Sequence, residues 1–307
     1  MNISWDTRIV NRNPNNVLTV GTFDGVHTGH RYILESLHKR AEEFNAQTTL
    51  VTFNPHPQLV LRNPDKPELK ILTTVDEKIE ILRSLNLDNL IVIPFTRDFA
   101  DTTSSDFVTI LFEQIGCREI VIGYDHGFGR NRQGNVETLL DMGRKLGFSV
   151  QEVTGLMHNG ETISSTRIRK SLLQGSVKEA GELLGYRYFL TGIVVKGEGR
   201  GKTFDYPTAN IEPQVKEKLI PGDGVYAVYV SVGEQQYRGM MNIGNKPTFS
   251  SAPHSLEIHI FDFNRDIYGE KIKISFEDRI RDEIKFSNVA ELQARLSKDK
   301  EMSLRIL

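Results

Sequence analysis

The chain has 307 residues, enough for two domains that each bury a core, and its 38 Lys and Arg against 40 Asp and Glu give a formal charge of -2. That balance offers no basis for a general nucleic-acid or membrane-surface partner, and the single cysteine, Cys117, excludes an internal disulfide framework or a cysteine-rich zinc cluster. No apolar run reaches membrane-spanning length and residues 1–6 lack a basic-then-apolar signal pattern, so the expectation is a cytoplasmic protein.

The apolar run Val17-Leu18-Thr19-Val20 predicts a buried strand, and the spacing of Tyr32, Ile33, Leu34 and Leu37 predicts a helix. Between them lies Gly21-Thr22-Phe23-Asp24-Gly25-Val26-His27-Thr28-Gly29-His30. Glycines at 21, 25 and 29 let the backbone approach a phosphate, and the helix start offers free N–H groups and a positive dipole end. His27 and His30 flank the place where an anion would sit, although two histidines at helical spacing also suit zinc. The stretch is neither the dinucleotide fingerprint nor the Walker-type phosphate loop. Its H-x-G-H pattern resembles the signature of nucleotidyltransferases.

Thr48-Thr49-Leu50-Val51-Thr52-Phe53 predicts a second buried strand, stopped by Asn54-Pro55-His56-Pro57. Loops at the carboxyl ends of parallel strands line ligand crevices, so Phe53 and His56 either meet a ligand opposite His27 or belong to a proline turn. Thr74 with Glu77 predicts a capped helix, Leu90 to Pro94 and Glu119 to Gly123 predict strands, and residues 105–112 are helical in pattern. The alternation implies a parallel sheet of βαβ units. The last of these strands runs into Tyr124-Asp125-His126-Gly127-Phe128-Gly129-Arg130-Asn131-Arg132, which reads as a surface loop or as one that stacks on a planar ring and reaches phosphates. In Ile163-Ser164-Ser165-Thr166-Arg167-Ile168-Arg169, hydroxyls at a helix start and the arginines behind them suit a polyphosphate better than a plain helix cap.

From Tyr188 the pattern changes to period-two runs at 190–195, 224–232, 256–261 and 271–276, cut by Gly, Pro and Asn, which predict a small antiparallel barrel closed by a helix from Asn288 to about Lys298. The domains are expected at 1–184 and 185–307. The second has its own glycine-rich loop, Lys196 to Lys202, that could cradle phosphates, followed by Pro207-Thr208-Ala209-Asn210, whose Thr208 and Asn210 oxygens would point to one side of an extended segment and suit Mg²⁺. Alternation places Glu257 and His259 on the open face of their strand, where Glu257 reads as a candidate general base or as part of a solvated face.

With these motifs in order, the chain from about Val17 to its end resembles the bacterial bifunctional riboflavin kinase and FAD synthetase family. The matching stretches include 21–30, 53–57, 94–96, 123–134, 163–169, 207–210, 224–227, 242–249 and 257–269. The resemblance implies a Rossmann-like nucleotidyltransferase α/β domain that joins AMP from ATP to FMN, giving FAD and pyrophosphate, followed by a riboflavin kinase-like β-barrel, with Mg²⁺ assisting. It implies ATP contacts at Gly21, Phe23, Asp24, Gly25, His27, His30, Ser165, Thr166, Arg167 and Arg169, and at Gly199, Gly201 and Lys202 in the second module. Flavin would be held by Phe53, Pro55, His56, Pro57, Asp125, His126 and Phe128, and Mg²⁺ by Thr208 and Asn210. The catalytic residues implied are His27, His30, Arg169 and Glu257. The partners implied are these small molecules, with no nucleic acid or membrane, and self-association is left open. Two departures stand out. His126 occupies a usually aromatic position, and Asp205 replaces a glycine in the kinase loop. A carboxylate beside a triphosphate is repelled by several kcal/mol at an effective dielectric near 20, so the kinase is expected to be weak or lost; a fully bifunctional enzyme and a non-catalytic flavin-binding or protein-binding barrel are the alternatives.

Overall fold

The computed structural model describes residues 1–65, 67–197, 206–244 and 255–307. The chain divides into two compact units, Met1–Ser164 and Ser165–Leu307.

The first unit runs β1 (Asn2–Ser4), β2 (Asn16–Val20), α1 (Thr28–Phe44), β3 (Gln47–Asn54), α2 (Pro57–Val60), α3 (Val75–Arg83), β4 (Asn89–Pro94), α4 (Arg97–Ala100), α5 (Ser104–Ile110), β5 (Glu119–Gly123), α6 (Val136–Leu146), β6 (Ser149–Val153) and the short hairpin β7 (Met157–His158) and β8 (Glu161–Thr162). Six strands form one parallel sheet in the order β1-β4-β3-β2-β5-β6. All five residues of β2 are buried, as befits a strand covered on both faces. The chain steps outward from β2 through β3 to β4, then returns to the other side of β2 as β5. That reversal leaves a crevice beyond the carboxyl ends of β2 and β5, where open α/β sheets bind ligands. Helix α1 buries Leu34, Leu37 and Ala41, and α3 starts with a capping box of Thr74 and Glu77, as its sequence predicts. The edge strands β1 and β6 are half-exposed and carry polar residues, so they lack the apolar run that marks the inner strands.

The second unit begins with α7 (Ser165–Leu173) and α8 (Val177–Leu184), which by contacts group with the barrel although the sequence reading sets them before it. Six antiparallel strands follow: β9 (Phe189–Val195), β10 (Ala209–Pro213), β11 (Gly224–Val232), β12 (Gln235–Gly244), β13 (Ser255–Ile260) and β14 (Lys271–Arg281). They close into a barrel in the order β10-β13-β12-β11-β14-β9, around Leu190, Val194, Val228, Met241, Ile258 and Ile274. The terminal helix α9 spans Val289–Ile306, eight residues beyond the expected end, because no glycine or proline interrupts it after Lys298.

One buried ion cluster ties α9 to the barrel. Asp299, 0% exposed, accepts from Arg281 Nε at 2.9 Å and Nη2 at 2.7 Å, and pairs with Arg295 Nε at 3.0 Å. Removing one partner of a buried pair leaves an uncompensated charge, which costs about 3–5 kcal/mol. Asp299→Ala is therefore expected to lose about that much stability, read as a lowered denaturation midpoint of the barrel; an unchanged midpoint would mean that α9 is held by its apolar contacts alone.

Candidate functional site

In the first unit the loop between β2 and α1 is built around strain. Phe23 and Val26 have φ of 45° and 38°, unusual for an aromatic and a β-branched residue, and both are buried. Such conformations persist only where the surroundings over-determine them. Here they do. The Asp24 carboxylate, 1% exposed, accepts from the backbone N–H of Leu72 and of Thr73, each at 3.0 Å, and Gly25 N–H donates to the Thr73 hydroxyl at 3.0 Å. On the other side, Lys78 Nζ donates to the Thr22 carbonyl at 2.5 Å and to the Thr52 hydroxyl at 3.2 Å.

The loop delivers two stacked imidazoles to the start of α1. The His27 and His30 rings lie 3.6 Å apart at 14°, with Phe23 4.7 Å from His30. His27 caps the helix: its Nδ1 accepts from His30 N–H at 3.2 Å. In the neutral ring the proton then sits on Nε2, which makes that atom a donor. Gly29 lets the ring lie there, since a Cβ at that position would come within 3.2 Å of it. His30 Nδ1 is buried without a hydrogen-bond partner among the described residues. Burial, then the neighbouring His27 and Lys78, hold the His30 pKa well below its ordinary value, so the ring is neutral at pH 7. The first turn of α1 carries no acidic residue, and its N–H groups offer an anion a receptive end. Among the described residues no group of three or more His, Cys, Asp or Glu is placed to hold a metal.

The loops after β3 and β5 stand beside this one because their strands flank β2. Phe53 at the end of β3 packs with Phe95, Phe99 and Phe107 at ring separations of 5.6, 6.1 and 6.2 Å, and Phe107 reaches Phe128 at 6.0 Å. His56 and Pro57 open α2, the His56 Nδ1 accepting from Gln58 N–H, and Pro55 follows a cis peptide bond. In the loop after β5, the Asp125 side chain is exposed, while His126 stacks toward Phe128 and approaches Gly21, whose Cβ would lie 3.9 Å from the His126 ring. Burial lowers the His126 pKa to about 4, with Arg132 adding to the effect, and its Nε2 is also buried and unpartnered among the described residues. The structure thus gathers Gly21, Phe23, His27, His30 and His126 at the sheet reversal and an aromatic wall from Phe53 to Phe128 beside them. Asp24 is turned inward to Leu72 and Thr73 rather than outward.

Ser165, Thr166, Arg167 and Arg169 form the first turns of α7 in the second unit. The Arg167 guanidinium lies 3.7 Å from Glu179 of α8. In the barrel, Glu257 of β13 stands opposite Asn210 of β10 on one side and Asn242 of β12 on the other. Directly opposed residues share a face, so a carboxylate sits between two side-chain amides. Gly197 is packed so closely on the Asn210 amide that a Cβ there would displace that side chain. The face is less open than alternation suggests: His259 is 8% exposed, its ring covered edge-on by Tyr206, and its Nδ1 donates to the Pro207 carbonyl at 2.8 Å. That bond anchors the segment carrying Thr208. Gly199, Gly201, Lys202 and Asp205 lie outside the described residues.

Sequence reasoning missed Lys78, the burial of His259 and the inward role of Asp24. The one available signal for Lys78 was its position among Glu77, Ile79, Ile81 and Leu82, on the face that α3 buries.

A family model described as FAD synthetase matches residues 9–167, and one described as riboflavin kinase matches 184–307. Proteins named bifunctional riboflavin kinase/FMN adenylyltransferase are 37% identical in Buchnera aphidicola from Schizaphis graminum, 36% in Bacillus subtilis and 34% in Escherichia coli K12. These alignments cover 94%, 94% and 92% of this chain and 93%, 92% and 90% of the relatives. A solved structure from Streptococcus pneumoniae, described as a macrolide-efflux protein, superposes with a TM-score of 0.88 at 34% identity over 98% of this chain and 97% of that one. Among the described residues no helix is long and apolar enough to cross a membrane. The chain belongs to the bifunctional riboflavin kinase/FMN adenylyltransferase family.

Proposed function

We propose that residues 1–184 of this family member make FAD from FMN and ATP, and that residues 185–307 phosphorylate riboflavin, with the carboxylate of Asp205 slowing the second reaction. The observation that carries the reading is the stacked His27–His30 pair at the start of α1, set where the sheet order reverses.

In the first reaction an oxygen of the FMN phosphate attacks the α-phosphorus of ATP, and the bond to the bridging oxygen breaks to release pyrophosphate. The nucleophile is already an anion, so no strong base is required and the protein contributes position and charge stabilisation. His27 Nε2–H and the first N–H groups of α1 donate to the phosphate oxygens. By the family resemblance, Ser165, Thr166 and Arg169 carry donors of the kind a triphosphate takes, and the aromatic wall from Phe53 to Phe128, with Pro55, His56, Pro57, Asp125 and His126, flanks the flavin. In the second reaction the terminal ribityl hydroxyl attacks the γ-phosphorus of ATP, the bond to the β–γ bridging oxygen breaks to release ADP, and Glu257 accepts the hydroxyl proton. Thr208 and Asn210 supply hard oxygen donors of the kind Mg²⁺ takes and would hold it, and the ion would offset phosphate charge.

The test is to incubate the protein with ATP and Mg²⁺, with riboflavin in one tube and FMN in another, and to separate the flavins. FAD from FMN, with slower FMN formation from riboflavin, is expected. No FAD from FMN would overturn the reading of the first domain, and riboflavin binding without ADP formation would make the barrel a binding module. Asp205→Gly is expected to raise riboflavin turnover at least about tenfold, since one unit charge removed near a triphosphate is worth more than 1.4 kcal/mol at moderate dielectric. Unchanged turnover would remove Asp205 from the account.

A further inference from the structure

Lys78 sits in α3, 6% exposed, among the buried residues Glu77, Ile79, Ile81 and Leu82 of that helix. Burying an ammonium costs several kcal/mol unless its hydrogens are satisfied, and an apolar side chain would pack α3 against the sheet without that cost. What the ammonium does is specific. It donates to the Thr22 carbonyl at 2.5 Å and to the Thr52 hydroxyl at 3.2 Å, and that hydroxyl itself donates to the same carbonyl at 3.1 Å. Thr22 immediately precedes Phe23, the first of the two residues in the left-handed region. With Asp24 fixed from the Leu72 and Thr73 side, the strained turn is gripped from two directions by two buried charges of opposite sign.

We propose that Lys78 is a positioning residue for adenylyl transfer: by gripping the Thr22 carbonyl it holds the turn that aims His27 and the start of α1 at the nucleotide phosphates, and its charge supports them from behind the loop. The inference rests on reading the first domain as an FMN adenylyltransferase. The groups that act on it electrostatically are Asp24 from the loop, which favours the ammonium, and His30 from α1, whose own protonation the ammonium disfavours. Burial lowers the Lys78 pKa to about 8. Adenylyl transfer should therefore fall above about pH 8 as the ammonium is lost. Unfolding through this group would run the other way: between about 8 and the ordinary 10.5 the unfolded chain holds more protons on the lysine, so its contribution to stability rises with pH.

The test compares wild type, Lys78→Met and Lys78→Arg. A displacement of about 1 Å at a reacting group costs on the order of 100-fold. Lys78→Met is expected to lose about that factor in kcat/KM for FAD formation, with an unchanged circular dichroism spectrum as evidence of an intact fold. Lys78→Arg should recover most of the rate and lose the fall above pH 8, because guanidinium stays charged. Wild-type FAD formation from Lys78→Met, or a wild-type alkaline limb in Lys78→Arg, would overturn the proposal. If wild type itself makes no FAD, the adenylyltransferase reading fails, and amide hydrogen exchange of Gly25 and Val26 decides the clamp alone: about tenfold faster exchange in Lys78→Met upholds it, and unchanged exchange overturns it.

Discussion

FAD formation from FMN is expected to fall about 10²–10³-fold in His27→Asn, with riboflavin phosphorylation unaffected. That is the size of effect found when one preorganised donor to a developing anion is removed. The choice of asparagine separates chemistry from architecture. His27 caps α1 through its Nδ1, and an alanine there would lose both the cap and the imidazole. Asparagine is among the best N-cap residues, so the variant should melt within about 1 kcal/mol of wild type while lacking the Nε2–H donor. His30 is the natural comparison. Its ring is stacked on His27 and its Nδ1 is unpartnered among the described residues, so His30→Asn removes a half-buried, stacked ring as well as a polar atom and should cost stability in addition to rate. The rates would come from flavin separation at saturating FMN and from a denaturation curve on the same preparations. Wild-type FAD formation by His27→Asn would mean that the first turn of α1 holds the phosphates through its backbone alone.

The nucleotide loop shows how far sequence could reach. Val17 to His30 is legible because a buried parallel strand, a run of glycines and a helix start each leave a local mark, and those marks lie next to one another in the chain. The parallel sheet and the barrel were legible for the same reason, period by period. Lys78 was not. A lysine in an amphipathic helix reads as a solvated residue, and only the packing of α3 over Thr52 and Thr22 turns its ammonium inward. Asp24 failed in the opposite direction, since an acid in a glycine-rich turn looks like a ligand contact, yet its carboxylate closes on Leu72 and Thr73, 48 and 49 residues away. Strand β12 was missed because Gln235, Gln236, Arg238 and Gly239 break its alternation, and its pairing with β11 and β13 supplies what the pattern lacks. His259 looked exposed by alternation, and Pro207 and Tyr206 cover it. In each case the deciding partner is distant in sequence.

Glu257→Gln should abolish most riboflavin phosphorylation, by about 10²–10⁴-fold, and leave FAD formation from FMN at the wild-type rate. The range is what a positioned general base contributes to proton transfer. Glutamine suits the site sterically and can hydrogen-bond to Asn210 and Asn242, the residues paired opposite Glu257, so the exchange removes basicity with little change of shape. A loss of less than about tenfold would mean that the ribityl proton leaves to solvent and that Glu257 serves only to orient its neighbours. The variant also decides what Asp205 does. If that carboxylate slows a working kinase, Asp205→Gly raises turnover, and the double variant with Glu257→Gln must still turn over more slowly than wild type, because independent effects on one phosphoryl transfer multiply and the loss of the base is the larger. If the double variant stays faster than wild type, the reaction accelerated by Asp205→Gly does not use Glu257 as its base, and the phosphoryl transfer must be assigned to other residues of the barrel.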